Sequence, residues 1–221
     1  MFTIPRVETQ FWIDSWQEGG SKTSFHLPSV HPHARLLADR GLLDDATVLV
    51  PLCGKTADLL FFAAHARSVV GVELVAKAID EFIAENDLSP RQPKPGVFTV
   101  GNLTILNRDL FDLAPEDIGP VDLVYDRASL IAFPEDMRHR YVEAVTALTA
   151  PGAWYFINTV EYRPALPSPP FSVGPADVDA YFGDRFEIDH LLAEPRPEHR
   201  MVEKFGLDDL VEHGFLLRRF Q

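Results

Sequence analysis

A chain of 221 residues, 46% hydrophobic and 24% charged, has the composition of an ordinary globular protein and enough length to bury a large apolar core. Its formal net charge of -13 repels a phosphate backbone on average, which sets nucleic acid aside as a partner. Cys53 stands alone, so no intrachain disulfide and no multi-cysteine zinc cluster can form, as suits a reducing cytoplasm; Met1 to Gln10 lacks an export leader's pattern, and no apolar run reaches the length of a membrane span.

Strand-like and helix-like stretches alternate along the chain, the pattern of an α/β protein with a mostly parallel sheet. Ala46 to Leu52 is a largely apolar run that reads as a central strand, covered on both faces and stopped at Gly54. From Lys55 to Arg67 the spacing of Leu59, Leu60, Phe62, Ala63 and Ala66 predicts a helix with one buried face. Ser68 to Leu74 reads as a second buried strand carrying Glu73 near its end, and Val75 to Glu85 as a second helix. Three prolines between Leu88 and Gly96 predict a surface loop. Val97 to Val100 and Leu103 to Asn107 predict two short strands paired about Gly101-Asn102.

Val121 to Tyr125 is a further buried strand, Pro134 starts a helix running to about Leu148, and Trp154 to Val160 is the next central strand. On that helix Arg138-His139-Arg140 is a compact basic cluster, read as a solvated face. Five prolines between Pro164 and Pro175 predict a semi-rigid extended loop, of the kind that forms substrate walls or lids. Asp177 to Phe182 reads as a helix, and Phe186 to Ala193 and Phe215 to Phe220 as two last strands, antiparallel at the sheet edge.

In an open parallel sheet a ligand sits beyond the carboxyl ends of the strands, where a glycine turn admits the backbone and an acid ending the next strand grips a ribose. Gly54 and Glu73 occupy those places, about 20 residues apart, the length of one strand-helix-strand unit. Lys55-Thr56 follows a single glycine, without the earlier glycine of a nucleotide phosphate loop. In His31-Pro32-His33 the intervening proline and the lack of a nearby carboxylate pair point to a helix start or loop, and no metal is expected.

The run Val-Leu-Val-Pro-Leu-Cys-Gly-Lys-Thr at 48–56 and Val-Val-Gly-Val-Glu-Leu at 69–74 resemble the signature of the thiopurine S-methyltransferase family. Further matches follow in order: Trp12 with Trp16, Phe25-His26, Phe111-Asp112-Leu113, the run Tyr125 to Leu130, and Pro169-Pro170-Phe171-Ser172-Val173. The resemblance extends from about Thr9 to about Phe215. It implies a class I, Rossmann-like S-adenosylmethionine-dependent methyltransferase with a mostly parallel seven-stranded sheet, helices on both faces and an antiparallel edge pair. One domain of 221 residues is expected, residues 1–40 covering the active site, and a monomer acting on a small molecule without nucleic acid or membrane.

Residue by residue, the resemblance implies that Trp12 packs on the cofactor, Leu52 lies against its amino-acid end and Glu73 holds the ribose hydroxyls. Asp109 and Leu110 match the positions flanking adenine. Arg127 matches the cofactor-binding arginine; a guanidinium suits the methionine carboxylate, and it could instead face the substrate. Phe25 matches the substrate-contacting aromatic, whereas Trp16 reads equally as core or as site.

Methyl transfer from a sulfonium to a thiolate is an in-line displacement that cancels charge, so it requires alignment and exclusion of water more than a strong base. No catalytic residue is expected to be essential; Asp14, His26 and Asp126 are the candidate proton acceptors, acting through a water. An amino-group methyltransferase would carry its Pro-Pro-aromatic motif after the fourth strand, where this chain has Tyr125-Asp126-Arg127. The alternatives that stay open are action on halides or on selenium or tellurium compounds, and cofactor binding without turnover. Ser168 replaces the glycine common before the double proline, His31 stands where bacterial relatives often have asparagine, and the turn from Trp16 to Phe25 is about two residues longer than usual, so the substrate wall is expected to differ.

Overall fold

The structure is a computed structural model that describes residues 9–19 and 29–221, and within them the chain clusters into two compact units. One is formed by the described residues of Glu8–Tyr125 with Ala147–Ala150, the other by Asp126–Thr146 and Pro151–Gln221.

The first unit opens with α1 (Thr9–Glu18) and α2 (Pro32–Asp39), then alternates β1 (Thr47–Val50), α3 (Asp58–His65), β2 (Ser68–Glu73) and α4 (Ala76–Glu85). Three further strands follow, β3 (Arg91–Lys94), β4 (Val97–Val100) and β5 (Leu103–Asn107), then the short α5 (Pro115–Ile118) and the start of β6 (Leu123–Arg127). Their order is β3-β4-β5-β2-β1-β6. Parallel pairing joins β5, β2, β1 and β6, and β4 runs antiparallel to both β3 and β5. Every residue of β1 is buried, as the unbroken apolar run requires when both sheet faces are covered.

One expectation changes here and another narrows. The segment between Leu88 and Gly96 is not all loop, because Arg91–Lys94 pairs with β4; its four residues are exposed, and Pro93 is tolerated on an edge strand with a local register shift. His31-Pro32-His33 is a helix start: His31 is the cap residue of α2, its ring accepting from the His33 N–H at 3.2 Å, with proline in the first turn. The His31 backbone N–H donates to the buried Asp58 carboxylate at 2.7 Å, and the Tyr125 hydroxyl donates to the other oxygen at 3.2 Å.

The second unit contains α6 (Glu135–Leu148) up to Thr146, β7 (Trp154–Arg163), α7 (Pro175–Phe182), β8 (Phe186–Pro195), α8 (Arg200–Phe205) and β9 (Asp209–Arg219). The order β7-β9-β8 is antiparallel throughout, the predicted terminal pair with an extra helix in its connection. β9 begins six residues ahead of the apolar stretch at Phe215 because it pairs with β7 along its whole length, from Trp154↔Arg218 to Arg163↔Asp209. The nine strands among the described residues exceed the seven that the resemblance implies by β3 and β4, of which β4 was read from its own sequence pattern.

Candidate cofactor and substrate site

β1 ends in Pro51-Leu52-Cys53-Gly54, a turn in which Leu52 and Gly54 have φ of 48° and 52°. Left-handed backbone is easy for glycine and uncommon for leucine, and such strain concentrates where a ligand needs a particular backbone path. The turn is stitched to the neighbouring strand: the Cys53 N–H donates to Val72 O at 2.9 Å and the Gly54 N–H to Glu73 Oε2 at 2.8 Å. Gly71 permits this approach, since a Cβ there would stand 2.9 Å from the Cys53 sulfur. Burial pushes the Cys53 thiol well above its usual pKa and the nearby Glu73 charge adds to that, so the sulfur is an inert packing atom. Lys55, next in line, bonds Glu81 at 2.8 Å and Glu85 at 2.6 Å on α4.

Glu73 is 6% exposed. Its second oxygen accepts from the Val75 N–H at 2.7 Å, and among the described residues no cation pairs with it. The Leu74 N–H also bears on the carboxylate, which keeps acceptor capacity for a further donor. Burial raises the carboxyl to about 7, with the backbone N–H groups pulling the other way. A buried carboxylate that faces donors and no cation fits a pair of ribose hydroxyls.

Beside it, the end of β5 turns into a single 3-10 turn at Leu110–Asp112, capped by Asp109, whose Oδ1 accepts from the Phe111 N–H at 3.0 Å. Leu110 is buried and Asp109 half-buried, in the loop that follows the strand paired with β2. On α1, Trp16 is enclosed against Val75 and Ala78, which favours its packing role, while Trp12 is half-buried against the same cluster with Ile13 and Leu74. Asp14 lies on the exposed side and accepts from the Gln10 side chain at 2.7 Å. Phe25 and His26 lie outside the described residues.

In the second unit Asp126 is fully buried. Tyr141 and Tyr155 each donate a hydroxyl to its Oδ2 at 2.7 Å, and the Ser129 and Leu130 N–H groups reach Oδ1 at 3.3 and 3.2 Å. Burial raises its carboxyl pKa, and the four donors oppose that shift. With both oxygens engaged and the side chain fully buried, Asp126 anchors the loop after β6. Arg127, the last residue of β6, is half-buried.

The proline-rich loop is tied down along its length. The Phe171 N–H donates to Ile131 O at 2.7 Å, the Tyr162 N–H to the Ser172 hydroxyl at 2.9 Å, and the Tyr162 hydroxyl to Pro170 O. Arg138 completes the attachment, donating to Phe133 O at 3.0 Å and Ser172 O at 3.3 Å, with its guanidinium 5.9 Å from the Phe171 ring centre. It is 6% exposed, so the solvated face read for Arg138-His139-Arg140 does not include its first residue. Its signal lay in position: four residues after Pro134, at the root of the helix, it faces the loop.

The family described as Thiopurine S-methyltransferase (TPMT) matches residues 7–219. A thiopurine S-methyltransferase of Pseudomonas fluorescens (strain SBW25) is 38% identical over 192 residues, 85% of this chain and 87% of the relative. That of Nitrosospira multiformis is 33% identical over 218 residues, covering 96% and 98%. Among solved structures, the 1,6-didemethyltoxoflavin-N1-methyltransferase of Burkholderia thailandensis with bound S-adenosylhomocysteine shares the fold, with a TM-score of 0.66 at 15% identity over 96% of this chain and 87% of that one. The chain belongs to the thiopurine S-methyltransferase family, with the class I fold of S-adenosylmethionine-dependent methyltransferases.

Proposed function

We propose that the chain moves a methyl group from S-adenosylmethionine to the sulfur, or a similarly soft atom, of a small molecule such as a thiopurine or an aromatic thiol. The observation that carries the reading is the buried carboxylate of Glu73, held by the Gly54 and Val75 N–H groups at the carboxyl end of β2 and paired with no cation among the described residues. The related enzymes named above supply the substrate class.

When bound, the cofactor supplies an electrophilic methyl group on a sulfonium. The chain's residues then bind and orient. Glu73 accepts from the two ribose hydroxyls, Leu52 and Gly54 give a backbone path along the amino-acid end, and Asp109 and Leu110 read the adenine edge. Trp12 covers the cofactor and Arg127 is assigned its carboxylate. Phe25 is assigned the flat contact with the acceptor. Neither Asp14 nor Asp126 is placed as a base, and an acidic thiol arrives already ionised. The proposal extends to a cytoplasmic monomer, supported by the lone buried Cys53 and by the resemblance.

The test is a methyl-transfer assay over thiopurines, aromatic thiols, selenols and iodide. Turnover is expected on the sulfur nucleophiles; cofactor binding with turnover on none of them would instead make the chain a binding protein.

The Glu73 carboxyl titrates at about 7 in the ligand-free chain, so below that pH it must lose a proton before two hydroxyls can donate to it. Affinity for S-adenosylhomocysteine is expected to rise with pH, by up to about tenfold per unit below 7, and to level off above. Ligand-free stability runs oppositely: the folded pKa lies above the ordinary 4.5, so the folded state holds the proton more tightly and stability falls as pH rises from about 4.5 to 7. Calorimetric titration across that range checks the first expectation, and a flat affinity profile contradicts it.

A further inference from the structure

Asn107 is the last residue of β5 and lies opposite Glu73 in the parallel register. Its side-chain amide donates to Glu73 O at 3.0 Å and to Leu74 O at 2.8 Å, while the following N–H, of Arg108, donates to Glu73 O at 3.1 Å. Its own N–H is taken by Gly96 O at 2.7 Å. The two carbonyls belong to the point where β2 ends and the chain bends toward α4, so the Leu74 carbonyl has left the strand ladder. A neutral amide of this length supplies two N–H donors to adjacent carbonyls. Aspartate would bring only acceptors, serine one donor, and glutamine an extra methylene.

We infer that Asn107 is a positioning residue for cofactor binding: its amide clamps the Glu73-Leu74 backbone and so sets where the Glu73 carboxylate stands relative to the end of β5. The inference rests on the assignment of Glu73 to the ribose. The clamp joins that carboxylate to the loop carrying Asp109, two residues along. It also steadies Leu74, which packs in the Trp12 and Trp16 cluster. Asn107 acts entirely through these neighbours and touches no reacting atom.

The experiment is a double-mutant cycle on S-adenosylhomocysteine affinity with wild type, Asn107→Ala, Glu73→Ala and the double variant, alongside thermal unfolding of each without ligand. Asn107→Ala is expected to weaken binding about tenfold in the wild-type background, as the loss of two hydrogen bonds implies, and less than about threefold once Glu73 is gone. A purely structural asparagine would lower affinity equally in both backgrounds, and that result, or wild-type affinity in Asn107→Ala, overturns the inference. Should Asn107→Ala fail to fold, Asn107→Ser keeps one donor and carries the same cycle with a smaller expected loss. Wild-type affinity in Glu73→Ala removes the ribose assignment itself, whereas a weakened Glu73→Ala beside a silent Asn107→Ala removes this inference alone.

Discussion

Glu73→Ala should weaken binding of S-adenosylhomocysteine by roughly 1.5 to 3 kcal/mol, the cost of losing hydrogen bonds to a charged acceptor, which is roughly ten- to hundredfold in affinity. The carboxylate is buried, so these bonds form where little water competes. Alanine removes a carboxyl that burial already penalises but leaves the Gly54, Val75 and Leu74 N–H groups without it, so stability should fall as well, and thermal unfolding of the variant separates that loss from the loss of binding. Calorimetry on the folded variant reads the effect, and an unchanged affinity would dismiss the ribose role. Glu73→Gln sharpens the point: it keeps an acceptor, loses the titrating proton, and should flatten the dependence of affinity on pH near 7.

The second large effect concerns stability. Asp126→Ala should cost about 2–5 kcal/mol, because the Tyr141 and Tyr155 hydroxyls are buried and both use the same carboxylate oxygen. Each hydroxyl left without an acceptor costs about 1–3 kcal/mol, and the Ser129 and Leu130 N–H groups lose theirs too. Ala128, between Asp126 and Ser129, has φ of 66°, a left-handed conformation that needs its surroundings to hold it. Asp126→Asn keeps an acceptor oxygen for the tyrosines and should lose less. Urea unfolding of the two variants checks the order, and a loss below about 1 kcal/mol for alanine would mean that the hydroxyls find other partners.

These two acids illustrate what a sequence reveals and what it withholds. Glu73 was readable because a continuous apolar strand, a glycine turn about 20 residues earlier and a following helix place it at a strand end by geometry alone. Asp126 also stands near a strand end within a recognisable run, yet its role depends on which way one side chain faces, and the partners Tyr141 and Tyr155 lie on other elements. Asn107 was hidden for the same reason: as the last residue of β5 it looked like part of a short strand, and the carbonyls it holds belong to β2.

Elements followed the same division. β1, β2, β4, β5 and α6 carry their apolar pattern locally and appeared where predicted to within a few residues. β3 is fully exposed and exists through its pairing with β4, and the six-residue α8 is too short for periodicity to show. The polar Glu212 and His213 hid the first half of β9, where pairing with β7 outweighs side-chain pattern.

The most direct measurement is a calorimetric titration of the wild-type chain with S-adenosylhomocysteine at a pH above 7, where Glu73 is ionised. Saturable binding at one site per chain is the expected result; no binding would contradict the cofactor assignment on which the proposed methyl transfer rests.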